Sequence, residues 1–309
     1  MPVITALLVV ALSVGLSLQL FASVGISTRL TGNQAQQAQQ QWALHAALDV
    51  AQTRLVANVQ NAGVDALDQA WALAADDVSW SKFLDVHTAG PLDSMRISQR
   101  ITDEQAKLNL NALVSTPPQQ GAAPYEEPQM LDAYRRLLLL LSLDPALART
   151  TADLMLRQAQ AKLHGEYCCA SGRMPIDNFE SLQTMPGYTP HVLERLRPYA
   201  AVLPTRTTVN VNTTTPQVLA AVVEGLSLEQ AMTVLSSRRE KHFSSLSDFS
   251  ARLSTSGFTG QIGNTMLGVR SSYYTVLTRV RDGLAERTSR SLLHRISTAT
   301  IVESTQRIE

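Results

Sequence analysis

The chain has 309 residues, a formal net charge of zero, and charged side chains at only 17% of its positions. Zero net charge argues against a dedicated nucleic-acid-binding protein, which normally carries a basic surface. The 45% share of hydrophobic residues excludes an intrinsically disordered chain. Two cysteines are too few for a disulfide-rich scaffold or a four-cysteine zinc site.

The first 28 residues contain no charged side chain, and the apolar run from Val3 to Val24 is interrupted only by small residues and Gln19. A helix of about 20 apolar residues matches the hydrocarbon core of a bilayer. A cleaved secretory signal is the alternative, but its apolar region is shorter and follows a basic stretch, which this sequence lacks. We therefore predict a transmembrane segment over residues 1–28.

The basic residues near this segment leave its orientation open. Lys and Arg normally flank a span on its cytoplasmic side, and the nearest one here, Arg29, follows the span. Taken literally, this places the bulk of the protein in the cytoplasm. The alternative is that a short basic leader once preceded Met1, and that Met1 is a processed N-terminus.

A long helix is predicted to continue beyond the apolar run. Nothing between Asn33 and Gln60 breaks a helix, since Gly and Pro are absent there. Apolar residues mostly three or four positions apart indicate an amphipathic stem with one face on a globular head. These residues are Trp42, Leu44, Leu48, Ala51, Leu55 and Val59.

Short strands are predicted on both sides of a helical region. Residues 65–84 read as a second helix or a loop–helix connection, and the alternation of residues 95–101 indicates a half-buried strand. Residues 115–128, with four prolines and a glycine, form a predicted linker or domain boundary. At the C-terminal end, strands are predicted over residues 273–280, 286–296 and 298–303, with a turn at Asp282-Gly283.

The region between these strands reads as helical. Asp144 and Pro145 are typical of an N-cap and first helical position, opening a helix to about Leu163. The other predicted helices span residues 130–143, 179–182, 189–196, 216–223, 227–239 and 247–253. The predicted fold class is α+β, in which an antiparallel sheet carries a large all-helical insert. A long N-terminal helix, half in lipid and half in a head domain, resembles the build of type IV pilin-like proteins, so a pilin-like head is expected. The predicted divisions are residues 1–28 (span), 29–114 (stem and first part of the head), 115–257 (helical insert) and 258–309 (strands completing the head).

Two helix pairs in this insert, residues 182–196 and 209–238, resemble helix-hairpin-helix units, and the second also resembles competence-type DNA-binding modules. Such hairpins bind a phosphate through backbone N–H groups at a helix N-terminus. In the second pair, Glu224 and Glu229 flank Gly225 where the phosphate would lie. The basic residues Arg238, Arg239 and Lys241 end a helix, where they complement its dipole. A membrane-anchored, periplasmic DNA-binding protein is the alternative function.

No catalytic motif is present, since the sequence lacks a Gly-rich phosphate loop, Gly-x-Ser-x-Gly and His-Glu-x-x-His. The six histidines are scattered, and none is paired at ligand spacing. We therefore predict no enzyme activity and assign no catalytic, cofactor-binding or metal-binding residue.

Two carboxylate pairs and one cysteine pair remain as candidates. Asp76-Asp77 and Glu126-Glu127 have the ligand type that calcium prefers, but isolated acidic pairs are usually solvated. Cys168 and Cys169 are consistent with a strained vicinal disulfide, a bridge to another chain, or reduced thiols.

Three segments together resemble the type II secretion minor pseudopilin K family. The first is the N-terminal MPVITALLVVAL, residues 1–12, and the second is DEQAKLNLN, residues 103–111. The third is VNVNT, residues 209–213, with Arg238 and Phe243 downstream. They lie in the family's order and span most of the chain.

This resemblance implies a pilin-like head with a large helical insert, anchored by one span in the inner membrane and facing the periplasm. It also implies leader cleavage by the prepilin peptidase before Met1, and assembly with the I- and J-type minor pseudopilins. Family members bind calcium in the insert. Between about Gln158 and Phe179, however, this chain has residues 162–172 with two cysteines in place of the usual acidic segment, so no ligand is carried over.

Thr5 predicts the position of the subunit in the fibre. Most pilin-like subunits carry Glu at position 5, where it neutralises the N-terminal amine of the adjacent subunit above. A subunit with none above it has no reason to bear the cost of a carboxylate in lipid. A threonine hydroxyl there is expected to return a hydrogen bond to its own helix. Thr5 and the bulky insert together predict a subunit that starts and caps the tip of the pseudopilus.

Overall fold

The computed structural model describes residues 2–86, 93–117, 122–163, 176–260, 262, 266–283, 285–296 and 299–308, without the side chains of residues 2, 20–33, 61 and 306–308. The α-helices are α1 (Pro2–Asn61), α2 (Trp80–Leu84), α3 (Pro128–Leu140), α4 (Ala146–Leu163), α5 (Pro190–Leu196), α6 (Pro216–Val222), α7 (Leu228–Ser237) and α8 (Leu246–Thr255). Short 3-10 helices span Ala70–Ala72, Glu104–Ala106, Leu110–Leu113 and Phe179–Thr184.

The strands are β1 (Ala75–Ser79), β2 (Arg96–Asp103), β3 (Leu108–Asn109), β4 (Val114–Ser115), β5 (Tyr125–Glu126), β6 (Ala200–Ala201), β7 (Val209–Asn210), β8 (Leu267–Gly268), β9 (Tyr273–Asp282), β10 (Ala285–Ile296) and β11 (Ala299–Ile308). Five of them form an antiparallel sheet in the order β1-β2-β9-β10-β11. The predicted strands on both sides of the helical region are therefore confirmed, and β2 and β9 are neighbours although the helical region separates them in sequence.

The second half of α1 packs along one face of this sheet. Ala43, Ala47, Ala51 and Leu55, spaced four residues apart, are buried because this spacing keeps them on one side of a helix. Opposite them, β2 alternates buried and exposed residues, as expected for a strand with one covered face. Side chains of α1 also hold the β9–β10 turn, because the amide of Gln40 donates to the carbonyl of Ala285 at 3.1 Å.

The predicted stem stripe is correct for Leu44, Leu48, Ala51 and Leu55 but wrong for Trp42. The Trp42 side chain is 73% exposed. It lies nine residues, or two and a half turns, before Ala51, so it projects from the opposite face of the helix. The inward face of α1 therefore includes several alanines, which a search for large apolar residues does not find.

No helix in the described part of the chain is both long enough and apolar enough to cross a membrane. The predicted transmembrane segment is thus not shown by the structure, although α1 does continue from its apolar start into the stem.

Between β2 and β9 the chain builds the largest apolar core, which extends from Leu108 to Leu267 and unites α3 through α8. The prediction of an all-helical insert is wrong in one respect. Two-residue strands pair within this region, β3 with β6 and β7 with β8 in parallel, and β4 with β5 antiparallel. They satisfy backbone groups that would otherwise be buried without partners. The domain boundaries stay predictions.

Residues 65–84 also differ from the predicted helical connection, because β1 lies within them and pairs with β2. The sequence Ala75-Asp76-Asp77-Val78-Ser79 does not alternate, and the register shifts between Ala75 and Val78. Asp77 has a positive φ of 49° at this irregularity. A bulge interrupts the two-residue period from which strands are predicted.

Candidate functional site

The side chains of residues 3–19, in the first part of α1, are all exposed. Ten large aliphatic side chains there are 53–69% exposed: Val3, Ile4, Leu7, Leu8, Val9, Val10, Leu12, Val14, Leu16 and Leu18. Polar residues in this run bond to the helix itself, since the hydroxyl of Ser13 donates to the carbonyl of Val9 at 2.7 Å. Such bonding removes much of the cost of placing a hydroxyl in an apolar environment. The surface is therefore suited to lipid or to other apolar helices.

The two N-terminal site residues of the sequence analysis fall at different places. Thr5 is exposed in the first turns of α1, on the same apolar run. Met1, the predicted processed residue, lies outside the described residues. Their assigned roles stay predictions.

A buried polar cluster lies where the head meets the insert. Arg295 of β10 donates to a carboxylate oxygen of Asp65 at 2.6 Å and to the carbonyl of Leu55 in α1 at 3.1 Å. The guanidinium also donates to the carbonyl of Ser271, at 2.6 Å. One guanidinium thus ties together α1, the segment after it, and the segment before β9.

Asp103, at the end of β2, is the second carboxylate of this cluster. One of its oxygens accepts hydrogen bonds from Asn210 at 3.1 Å, Thr213 at 2.5 Å and Ser271 at 2.6 Å. The other accepts from the backbone N–H of Gln105 at 2.8 Å. Burial raises the pKa of Asp103 to about 6, the hydrogen bonds oppose that shift, and the nearby charge of Asp65 adds to it.

The motif that resembles DNA-binding modules is used internally. Asn212 is buried and bonds in both directions with the backbone of Phe243, donating at 2.9 Å and accepting at 2.7 Å. Arg238 donates to the carbonyls of Val211 and Thr214. Arg238 therefore fastens the asparagine loop from the C-cap of α7, the helix end at which the sequence analysis placed it. The spacing between the VNVNT segment and Arg238 and Phe243 reflects these contacts.

The two hairpin turns do not offer open phosphate sites. At the start of α7, Ser227 and Gln230 form a reciprocal capping box, so the Ser227 hydroxyl already accepts the Gln230 backbone N–H at 3.1 Å. In the first hairpin, Gly187 has a φ of 89° and lies so close to Leu147 that a Cβ would meet Cδ2 at 2.5 Å. Capping at one turn and close packing at the other count against phosphate binding.

The carboxylate pairs have arginine partners. Asp77 pairs with Arg281 at 2.6 Å and Glu127 pairs with Arg206 at 2.6 Å. Asp76 and Glu126 pair with Arg100 and Arg149, at 3.9 Å and 2.9 Å. Within the described ranges, no group of three or more His, Cys, Asp or Glu side chains is placed to hold a metal ion. Cys168 and Cys169 lie outside those ranges.

Two histidines make contacts between elements. The ring of His242 lies 3.0 Å from a carboxylate oxygen of Asp68, linking the insert to the segment after α1. The ring of His294 stacks on Tyr273 with centroids 4.3 Å apart and contacts Glu303 at 3.2 Å. Both rings thus serve contacts within the fold.

Sequence reasoning missed most of the buried cluster. Asp65, Ser271 and Arg295 belong to no motif, and a charged residue inside an amphipathic strand gives no warning that it is buried. Asp103 and Asn210 did fall within the segments that carry the family resemblance. Those segments contain unusually many Asn and Asp residues among aliphatic ones, which is the available signal for buried polar contacts.

Comparisons with known proteins agree with this picture. Two family models, both described as type II secretion system protein K, match residues 106–205 and 209–270, together about half of the chain. The chain belongs to the type II secretion system protein K family. It therefore has a minor pseudopilin role in protein secretion, and the family implies a periplasmic head. No curated protein sequence matches the chain.

A solved structure shares the fold of this protein K. A chain in the crystal structure of the GspK-GspI-GspJ complex from the enterotoxigenic Escherichia coli type 2 secretion system matches with a TM-score of 0.64. The match covers 90% of this chain and 99% of the other, at 23% sequence identity. The antiparallel sheet and the helical region between β2 and β9 are thus both within the matched fold.

Proposed function

We propose that this chain starts and caps the tip of the type II secretion pseudopilus, with its head in the periplasm. It acts as a structural subunit without catalytic activity. The observation that carries the proposal is the division of α1, a single helix of 60 residues. Its first part exposes ten large aliphatic side chains, whereas its second part packs on the sheet.

The exposed part is suited to the inner membrane. A continuous run of exposed aliphatic residues of this size is costly in water and favourable in lipid. The sequence adds that no charged residue occurs before Arg29. A prepilin-type leader ending directly before Met1 would supply the basic cytoplasmic flank that orients the span.

The partners of the tip are the I- and J-type minor pseudopilins. The related fold comes from a structure in which GspK is in complex with GspI and GspJ. The stem residues Leu44, Leu48 and Leu55 do not supply the contact, because they face the sheet of their own head. The opposite face of α1, on which Trp42 is exposed, is the part of the stem that remains for a partner.

The tip position is supported by Thr5 and by the size of the insert. A carboxylate at position 5 would have to be paired to reside in the membrane, and threonine avoids that requirement. The helical region from α3 to α8 adds a second core beside the sheet, and this bulk would obstruct a further subunit stacked on the head.

Electron microscopy of isolated pseudopili tests the tip assignment. The full chain carries an epitope tag in an exposed loop of the insert and is detected with gold-labelled antibody. We expect one label at one end of each pseudopilus. Labels distributed along the fibre length would exclude the tip role, and absence of the protein from fibres that still assemble would exclude the starting role.

A further inference from the structure

The face of the sheet opposite α1 carries a group of arginines. Side chains of β2 alternate between the two faces, so Gln99 points to α1, where its amide donates to the carbonyl of Ala47 at 2.7 Å. Arg100 lies on the other, outer face, which continues into β9 and β10 through its register partners. Strands β2, β9 and β10 contain no lysine. The outer face therefore has arginine as its only long cationic side chain, at Arg96, Arg100, Arg279, Arg281 and Arg290.

Two of these arginines flank a leucine. Arg100 in β2 and Arg290 in β10 are both register partners of Leu277 in β9, so the three residues form one row across the strands. Leu277 and Arg290 are half-buried, and Arg100 is exposed. Adjacent strands lie about 4.8 Å apart, which places the backbones of the two arginines about 10 Å apart. The row thus presents two guanidinium groups with an apolar side chain between them.

The row lies in a cleft of about 440 Å³ between the outer face of the sheet and the insert. The apolar lining comes from both sides, since Leu277 and Leu292 belong to the sheet and Phe179 belongs to the insert. All three side chains are half-buried, so each keeps surface that an occupant of the cleft can cover.

The two arginines of the row have capacity for a further partner. Arg100 meets Asp76 at 3.9 Å, and both side chains are more than 60% exposed, so this pair contributes little. Among the described residues, no carboxylate lies within ion-pairing distance of Arg290. Each guanidinium can therefore bind a carboxylate that enters the cleft.

Two carboxylates of the cleft are already paired with other cations. Glu104 contacts Lys107 at 2.8 Å, and Glu180 contacts Arg197 at 2.8 Å. Burial raises the pKa of Glu180, but the hydrogen bond from Arg197 and the charges of Arg197 and Arg290 outweigh burial and hold the pKa below its usual value. The charge of Arg290 is thus felt inside the cleft, although its guanidinium is not bonded there.

We propose that this cleft binds an extended segment of a partner protein in which two carboxylates flank an apolar side chain. The carboxylates bind Arg100 and Arg290, and the apolar side chain lies on Leu277. Guanidinium groups suit carboxylates because their N–H donors form paired, charge-assisted hydrogen bonds.

The spacing of the row gives the order of residues in the partner segment. Alternate residues of an extended chain face the same way, and residues four apart are separated by about 13 Å. This separation fits the two arginines, since their long side chains reach beyond the 10 Å between their backbones. The expected pattern is acidic-x-apolar-x-acidic. Asp177 and Glu194 are exposed on the insert side of the cleft, so the intervening residues should be neutral or basic.

The cleft is separate from the partner surface on the stem. It lies across the sheet from α1, whereas Trp42 is exposed on the side of α1 that faces away from the sheet. Both surfaces can therefore be occupied at the same time.

Fluorescence anisotropy of labelled peptides with the full chain in detergent measures this binding. The probe peptide contains Glu-Ser-Leu-Ser-Glu with capped termini, and two controls contain Gln-Ser-Leu-Ser-Gln and the shuffled Leu-Ser-Ser-Glu-Glu. We expect the probe to bind about tenfold more tightly than either control at about 0.15 M salt. Equal binding of the shuffled peptide, or no binding of the probe up to about 1 mM, would overturn the proposal.

Three single variants locate the bound peptide. Arg100→Gln and Arg290→Gln should each weaken binding of the probe about tenfold, because each removes a charge-assisted contact. Arg279→Gln is the matched control, since Arg279 lies on the same face, outside the cleft, and pairs with Glu286 at 3.1 Å. It should change binding less than about twofold. Equal weakening by all three variants would assign binding to the overall charge of the face and would exclude the cleft.

Discussion

The guanidinium of Arg295 lies 2.6 Å from a carboxylate oxygen of Asp65, and the two side chains are 5% and 2% exposed. Arg295 comes from β10 and Asp65 follows α1, so the pair joins the stem to the sheet. The desolvation cost of a buried pair offsets much of its attraction, but removal of one partner leaves an unpaired buried charge.

Replacement of Arg295 should therefore be strongly destabilising. We expect Arg295→Leu to lower the free energy of unfolding by about 3–5 kcal/mol, measured by urea denaturation. Arg295→Lys should recover only part of the loss, because one ammonium does not reproduce the bonds to Asp65, Leu55 and Ser271. A loss below about 1 kcal/mol for Arg295→Leu would contradict the assigned role, because an exposed ion pair contributes no more than that to the free energy of unfolding.

Trp42 and Leu55 provide a matched pair on one helix. Leu55→Ala should cost about 2–5 kcal/mol of unfolding free energy, because Leu55 is fully buried. Trp42→Ala should change it by less than about 0.5 kcal/mol, yet reduce co-purification of the chain with the I- and J-type pseudopilins. Equal destabilisation by the two variants would show that Trp42 is buried, and unchanged co-purification would remove it from the partner surface.

Substitutions at Gly187 and Gly225 distinguish the cost of backbone strain from the cost of a steric clash. Both have positive φ, 89° and 76°, but only at Gly187 would a Cβ collide with a neighbour, Leu147. Gly225→Ala should cost about 1 kcal/mol from the left-handed conformation. Gly187→Ala should cost more, because the new methyl group would collide with Leu147. When Leu147→Ala is also present, the additional cost of Gly187→Ala should be smaller. Thermal or urea unfolding of the wild type, the two single glycine variants, Leu147→Ala and the combined variant checks this, and equal costs at the two glycines would exclude the overlap.

Thr5 gives a prediction in cells. If the chain has no subunit above it, Thr5→Glu should leave secretion intact or mildly reduced, because a carboxylate in the span costs about 2.5–3.5 kcal/mol. Removal of the Glu at position 5 from a partner subunit should lower secretion steeply. Secretion is measured as the fraction of a substrate found outside the cells, with equal membrane levels of each variant as the control. Equal loss in both experiments would argue against a special role for Thr5.

The long elements of the fold could be predicted from the sequence, because the spacing of their apolar residues matches the face that is buried in the structure. The alternation in β2 and the strands β9 to β11 were recognisable, as were the helices α5, α6 and α7. β1 was not, since a bulge and two aspartates remove its alternation. The inward face of α1 was predicted at its leucines, but the assignment of Trp42 failed because hydrophobicity alone does not fix which face of a helix a residue occupies.

The site was less predictable than the fold. Thr5 and the segments carrying the family resemblance could be identified from residue order. The contacts of Asp65 with Arg295 and of Asp103 with Asn210 join residues more than 100 positions apart. No local pattern encodes such pairs. Their energies depend on burial, which exists only after the head and the insert have met.

The placement of the insert between two adjacent strands has a consequence for the order of folding. Asp103 in β2 pairs with Tyr274 in β9 across about 170 residues of intervening chain, and closing so long a loop is entropically unfavourable. The helices of the insert contact one another across shorter stretches of chain, as α3 does with α4 and with α6, and can assemble early. Their assembly brings β3 beside β6 and β7 beside β8, which shortens the gap that the long strands must bridge. We expect the nucleus to lie in the insert, so that weakening its core slows formation of the sheet, whereas weakening β11 mainly accelerates unfolding.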